Sequence, residues 1–226
     1  MTARGPGFNA LVLGALATVA TLLLALAHHL AQPAIAAAER EAREQVMWQA
    51  VAGSHEDLHL DAVAVPDRYR TLLGLPALEL AAEGGELYIV RRQQTAVALI
   101  VPVMAQGYGG PIALVVGLDI HGVLTGVRVL SHRETPGLGD AIELRKSNWI
   151  LGFNGKSLGN PAEDAWRIKK DGGHFDGLTG ATVTPRAVVQ QVHHALRYFA
   201  EDSARLLAPA PAQTSAPTAP SEKPHE

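Results

Sequence analysis

The sequence predicts an α+β protein, with one amino-terminal transmembrane helix followed by a single domain in which a small antiparallel sheet is flanked by helices. Three observations carry that expectation. A long uncharged apolar run lies near the amino terminus, short β-branched runs separated by turn residues fill the middle, and helical periodicity resumes near Pro185. Helix first, strands next and helices last is the order of an α+β fold rather than of alternating βαβ units. Of the 226 residues, those left after an anchor suffice for one globular domain of roughly 100 to 200 residues.

Between Arg4 and Glu39 no residue carries a formal charge with His neutral, and Ala10 to Ala27 is interrupted only by Gly14, Thr18 and Thr21. At about 1.5 Å rise per residue, this run with its flanks Phe8 and Leu30 approaches the ~30 Å hydrocarbon thickness of a bilayer. The expected span is 8–30. The small residues around Ala36 would suit signal-peptide cleavage, but the apolar run exceeds the ~7 to 15 residues of a signal core, which favours an uncleaved anchor. Arg4 and the free amino group flank one end, while Arg40 and Arg43 at the other alternate with Glu39, Glu41 and Glu44. A rule that counts Lys and Arg does not by itself orient such a segment; a cytoplasmic amino terminus is the working expectation. Residues 34–52 are rich in strong helix formers, so a helix continues or restarts after Pro33. Residues 32–85 are therefore read as a helical stalk and the start of an extracytoplasmic domain.

From Leu87 the period shifts toward β: LYIV, then Thr95 to Val103, Pro111 to Asp119 and Gly122 to Leu130. Turn signals at Gln106-Gly107, Gly109-Gly110 and His121-Gly122 make this an antiparallel meander. Helical patterning returns at Glu143 to Phe153 and again from Pro185, where Val188, Val192, Ala195, Leu196 and Phe199 share a face. Thr184 followed by Pro185 reads as an N-cap and first-turn pair. Residues 207–226, rich in Pro and Ala, are expected to be disordered.

Composition excludes several classes of chemistry. With no cysteine, the chain can build no disulfide framework, no thiolate-held zinc or iron–sulfur cluster and no c-type haem attachment. A net charge of −3 without a basic run argues against nucleic acid as a partner. Three glycine-rich segments remain as candidates. The first, Ala105 to Pro111 with Tyr108 and Gly109, reads as a hairpin loop. The second leaves a strand through His132, Glu134 and Thr135 into Gly137, Leu138 and Gly139. Its polar groups stand directly before glycines that permit close backbone approach to a ligand. His132 and Glu134 have no third ligand at an identifiable spacing, so no metal site is expected. The third, Lys169 to Pro185, places Thr182 in a tight turn just ahead of a helix, where unpaired N–H groups and the positive dipole end favour a phosphate. Thr179, Thr182 and Thr184 serve equally as turn and capping residues, and the residues alone leave both readings open.

The run Asp176-Gly177-Leu178-Thr179-Gly180-Ala181-Thr182 resembles the Asp-x-x-Ser/Thr-Gly-Ala-Thr flavinylation motif of the FMN-binding domain family. The flanking words GYGGPI at 107–112, HRETPGLGDAIELRKSNWI at 132–150 and KKDGGHFDGLTGATVTPRAVV at 169–189 resemble, in the same order, those of the G subunits of Rnf electron-transport complexes. The resemblance implies an FMN-binding domain over 86–206, with FMN joined through its phosphate to Thr182. It implies that an ApbE-type flavin transferase reads Asp176, Thr179, Gly180 and Ala181, and that Thr184 lies beside the linkage. Tyr108 and Gly109, with His132, Glu134, Thr135, Gly137, Leu138 and Gly139, are then the flavin-side walls. Lys169, with Lys170, would favour a reduced anionic flavin, and Glu134 would oppose it if close.

The same resemblance implies an electron-carrying subunit of an ion-translocating ferredoxin:NAD oxidoreductase in the bacterial inner membrane, its flavin domain periplasmic. Its partners are then the other subunits of that complex and, during maturation, the transferase; no residue of its own is expected to be catalytic. Two alternatives stand beside it: the C subunit of a sodium-translocating NADH:quinone reductase, which shares the threonine motif, and a non-redox membrane-anchored binding or scaffold protein.

Overall fold

A computed structural model describes residues 6–51, 57–76 and 85–209. Most of the carboxy-terminal tail expected to be disordered, 210–226, lies outside the described residues. The chain divides into two compact units, with the boundary between Gln45 and Val46.

The helix α1, Pro6–Gln49, whose last turn from Val46 belongs to the second unit, runs through Pro33 without a break. Of the two expectations for this region it is continuation, not restart, that holds. Pro33 has no N–H to donate, so the helix forgoes one hydrogen bond there. Within α1, Ala10–Ile35 is long and apolar enough to cross a membrane, its 26 residues spanning about 39 Å at the helical rise. The two hydroxyls in that stretch are satisfied inside the helix, Thr18 donating to the Gly14 carbonyl at 2.9 Å and Thr21 to that of Ala17 at 2.8 Å. Hydrocarbon supplies no partner for such groups, so this back-bonding makes the segment compatible with a bilayer.

The second unit is built on a five-stranded antiparallel meander in the order β1-β2-β3-β4-β5. Its strands are β1 (Leu58–Ala64), β2 (Glu86–Arg92), β3 (Thr95–Gln106), β4 (Pro111–Asp119) and β5 (Leu124–Ser131). The sequence anticipates four of them. The edge strand β1 and the short helix α2 (Asp67–Arg70) fall in the stretch read as stalk and domain start; Leu58-His59-Leu60-Asp61 alternates as a strand does, but over too few residues to stand out, and α2 is a single turn. One face of the sheet packs against α3, Val183–Leu206, through Val188, Val192, Leu196 and Phe199. Each such side chain taken from water contributes about 1.5 to 3 kcal/mol. The opposite face is covered by Met47, Ala50 and Val51, which pack on Val90, Ala98, Ile100 and Val115. Gly117 and Gly126, cross-strand partners on β4 and β5, make room for this. A Cβ on Gly117 would stand 2.0 Å from the Ala50 carbonyl oxygen, which also accepts the Thr125 hydroxyl at 2.6 Å.

Two local expectations are corrected. Glu143 to Phe153 is not an α-helix; only Trp149–Phe153 is helical, as a 3₁₀ turn. Ser147 diverts the backbone, donating to the Ala141 carbonyl at 2.6 Å and accepting the Trp149 N–H at 3.1 Å, the competition with helical bonding that short hydroxyl side chains provide. The last helix starts at Val183 with Thr182 at its cap, not at Thr184. Pro185 is tolerated as its third residue because the first four helical N–H groups have no partner within the helix.

Candidate functional site

The three glycine segments, far apart in the chain, meet at one buried carboxyl group. Glu134, 5% exposed, leaves β5 on a loop; its Oε1 accepts the Gly109 N–H at 2.9 Å and its Oε2 accepts the Thr184 hydroxyl. One side chain thus ties the β3–β4 hairpin to the first turn of α3. The neighbouring glycines are required by its bulk. A Cβ on Gly107 would fall 2.2 Å from Oε1, and one on Gly139 would fall 2.6 Å from Oε2. The hairpin itself is closed by Gly107 N–H donating to the Gly110 carbonyl at 2.8 Å. The Glu134 loop turns tightly at Thr135, whose carbonyl accepts the N–H groups of Leu138 and Gly139, both at 3.1 Å. Asp140 fixes the turn by accepting the Gly137 N–H at 2.8 Å.

The threonine segment is held from behind by aromatic rings. Phe175 is buried, stacked on Phe153 at 4.8 Å and tilted against Trp166 at 4.9 Å. Trp149 donates its indole N–H to the Asp176 carbonyl at 2.7 Å. Beyond that anchor the chain is exposed at Asp176, Thr179 and Gly180. Gly180 adopts φ +78° and lies against Leu138, whose Cδ2 would be 2.8 Å from a Cβ at that position. Ala181 closes the turn by donating to the Leu178 carbonyl at 3.1 Å. Thr182, half-buried, caps α3 in position but makes no side-chain cap hydrogen bond. Its hydroxyl is therefore uncommitted to capping at a helix end with unpaired N–H groups. Arg186, in the first turn, grips Asp171 with two hydrogen bonds of 2.5 and 2.6 Å. That guanidinium holds the Asp171 carboxyl below its ordinary range.

Residues 107–197 match the family model described as FMN-binding domain. Over 203 residues the chain is 50% identical to the G subunit of the ion-translocating oxidoreductase complex of Pseudomonas aeruginosa strain UCBPP-PA14, covering 89% of this chain and 92% of that protein. The chain belongs to this family of G subunits. The G subunit of Vibrio cholerae strain O395 is 41% identical over 200 residues, with 88% and 92% of the two chains covered. That of Shewanella amazonensis is 38% identical over 197 residues, with 87% and 89% covered.

The residues that the sequence marks as the site of this G-subunit chain fall into two groups. Gly109, Glu134, Gly139 and Thr184 are brought into direct contact, and Leu138 touches Gly180. Exposed apolar surface borders them at Tyr108 (77%), Leu138 (42%) and Val183 (45%). Lys169 instead faces Asp176, its Nζ 2.6 Å from Oδ1, so its charge is compensated at the surface. His132 bridges its own loop to Glu143, its Nδ1 accepting the Glu134 N–H at 3.0 Å and its Nε2 lying 2.8 Å from the Glu143 carboxylate. Sequence reasoning passes over Trp149, Phe175 and the Asp171–Arg186 pair as holders of the threonine segment. Nothing in residue spacing reveals a contact such as Trp149 to Asp176, 27 positions apart.

Proposed function

We propose that this chain carries FMN as the electron-relaying subunit of a membrane-bound ion-translocating oxidoreductase complex, with the flavin held by a phosphoester to Thr182. One observation bears most of the weight: Thr182 ends the Asp176–Thr182 motif and stands at the N-cap position of a 24-residue helix, yet its hydroxyl makes no cap hydrogen bond. The residues present fit such a group. The α3 N–H groups suit a phosphate, and the exposed apolar side chains of Tyr108, Leu138 and Val183 suit the face of an aromatic ring system. FMN, when bound, supplies the one- and two-electron chemistry. The protein's part is to hold and orient it: Glu134 fixes the hairpin and the helix start, Gly180 and Leu138 set the turn before Thr182, and Trp149 anchors the stretch of chain that leads there.

In the same reading Asp176, Thr179, Gly180 and Ala181 form the stretch that an ApbE-type flavin transferase recognises; Asp176, Thr179 and Gly180 are exposed, as recognition demands. His132, Thr135, Gly137 and Gly139 shape the loop and Lys169 tempers the local charge. The division into an anchor at 8–30, a stalk and domain start at 32–85, a flavin domain at 86–206 and a tail at 207–226 belongs to this proposal. So does the placement of the domain on the periplasmic side of the inner membrane. The names of its relatives support an assembly role, in which other subunits of the complex supply and accept the electrons. The test is a denaturing gel of the full chain made with and without a flavin transferase. Fluorescence should survive denaturation only with the transferase, persist in Thr182→Ser and vanish in Thr182→Ala.

A further inference from the structure

His132 occupies an unusual position in the wiring of the site. Its Nδ1 accepts the backbone N–H of Glu134 at 3.0 Å, while its Nε2 lies 2.8 Å from Oε1 of Glu143. An N–H can donate only to an unprotonated ring nitrogen, so the proton of the neutral imidazole is on Nε2 and is given to Glu143. Glu143 is in turn gripped by Arg145, which holds its carboxyl below the ordinary range, with His132 adding to the effect. The ring is therefore fixed at both nitrogens, beside a surface cleft lined by Leu130, Ser131, Glu143 and Arg145. The charged or titratable groups facing it are Glu143 and Arg145 from the following loop, with Glu134 on its Nδ1 side.

We infer that His132 is a positioning residue for the flavin site, acting through Glu134. The hydrogen bond to Nδ1 fixes the Glu134 backbone, and the Glu134 side chain then holds Gly109 and Thr184. Protonation at Nδ1 replaces the acceptor by a second donor pointed at the Glu134 N–H. The cationic ring cannot keep that bond, so the clamp on the hairpin and on α3 loosens when His132 is charged. The flavin part of this inference rests on the proposed attachment at Thr182; the clamp itself does not.

Two measurements separate those layers. The first uses the full chain in detergent micelles, made without the transferase, and reads the ¹⁵N tautomer state of His132 and site-resolved amide exchange. At neutral pH the ring should be the Nε2–H tautomer and the Gly109 amide protected. As His132 becomes protonated, the Gly109 protection factor should fall about tenfold relative to sheet amides such as Val116, the cost of losing a buried partner. His132→Ala should show that loss already at neutral pH. His132→Asn, whose Oδ1 can accept the Glu134 N–H, should keep Gly109 protected at both pH values and decides the matter if His132→Ala does not fold. An Nδ1–H tautomer, Gly109 protection indifferent to pH, or His132→Asn losing protection at neutral pH would overturn the clamp. The second follows the visible circular dichroism of the flavin on transferase-treated protein. It should differ in the wild type between samples whose ¹⁵N shifts show His132 neutral and charged, and be the same at both pH values in His132→Asn. A constant signal in the wild type, while Gly109 protection falls, would overturn the positioning role yet leave the attachment site standing.

Discussion

Thr184→Val removes one oxygen and its proton from the centre of the candidate site while preserving the β-branched shape. Thr184 is fully buried, and its hydroxyl donates to Oε2 of Glu134, itself 5% exposed. The valine leaves a buried acceptor without its partner, at a cost of about 1 to 3 kcal/mol. For a domain of this size each kcal/mol moves the midpoint by about 2 to 4 °C, so a fall of roughly 2 to 12 °C is expected. Thr179→Val is the control, because Thr179 is exposed and the same chemical change there should leave stability unaltered. The assay is thermal unfolding of the detergent-solubilised chain followed by near-ultraviolet circular dichroism. A Thr184→Val midpoint indistinguishable from that of the control would refute the view that Glu134 joins these segments energetically.

Gly117→Ala drives a methyl to 2.0 Å from the Ala50 carbonyl oxygen, so residues 46–51 must shift off the sheet; a loss of about 1 to 3 kcal/mol is expected by denaturant titration. His193 stacks on Trp166 at 5.3 Å and is pushed below its ordinary 6.5 chiefly by burial. Its folded value lies below its unfolded one, so the domain should lose stability as pH falls below about 6.5; His193→Gln should reduce that dependence in pH-resolved melts, the remainder coming from His194, which burial pushes the same way. Arg186→Gln frees Asp171 from its two hydrogen bonds, and carboxyl ¹³C titration should show Asp171 moving up toward ordinary values. The chain has no cysteine, so Gln190→Cys, at an exposed position on α3, gives a single thiol. It should react with an impermeant maleimide added from the periplasmic side, and protection there would reverse the proposed orientation.

Much of the fold is readable because its signals are local. The apolar run of α1, the β-branched runs of β2 to β5 with their turn residues and the spaced apolar face of α3 each lie within one window of sequence. What escapes is set by contacts between distant residues. β1 takes its identity from pairing with β2, Leu58 opposite Arg92 through Ala64 opposite Glu86, not from its own composition. Residues 46–51 have strong helix formers and read as stalk, yet Met47, Ala50 and Val51 are buried against the sheet because two glycines on separate strands admit them. Ser147 breaks an otherwise helical pattern through its own hydroxyl. At the candidate site, glycine content and the threonine motif pick out the segments that meet at Glu134, but not the reason they belong together. Sequence presents Glu134 only as a charge near a flavin; its contacts with Gly109 and Thr184 make it a fastening between loops.

The central claim is that FMN is carried on Thr182, and one peptide tests it directly. Trypsin should cut after Lys170 and Arg186, releasing residues 171–186 with Thr179, Thr182 and Thr184 together. Mass spectrometry of that peptide, from protein matured with the transferase, should show the mass of FMN less one water, with fragment ions placing it on Thr182. An unmodified peptide from flavin-containing protein, or the added mass on Thr179 or Thr184, would contradict the account.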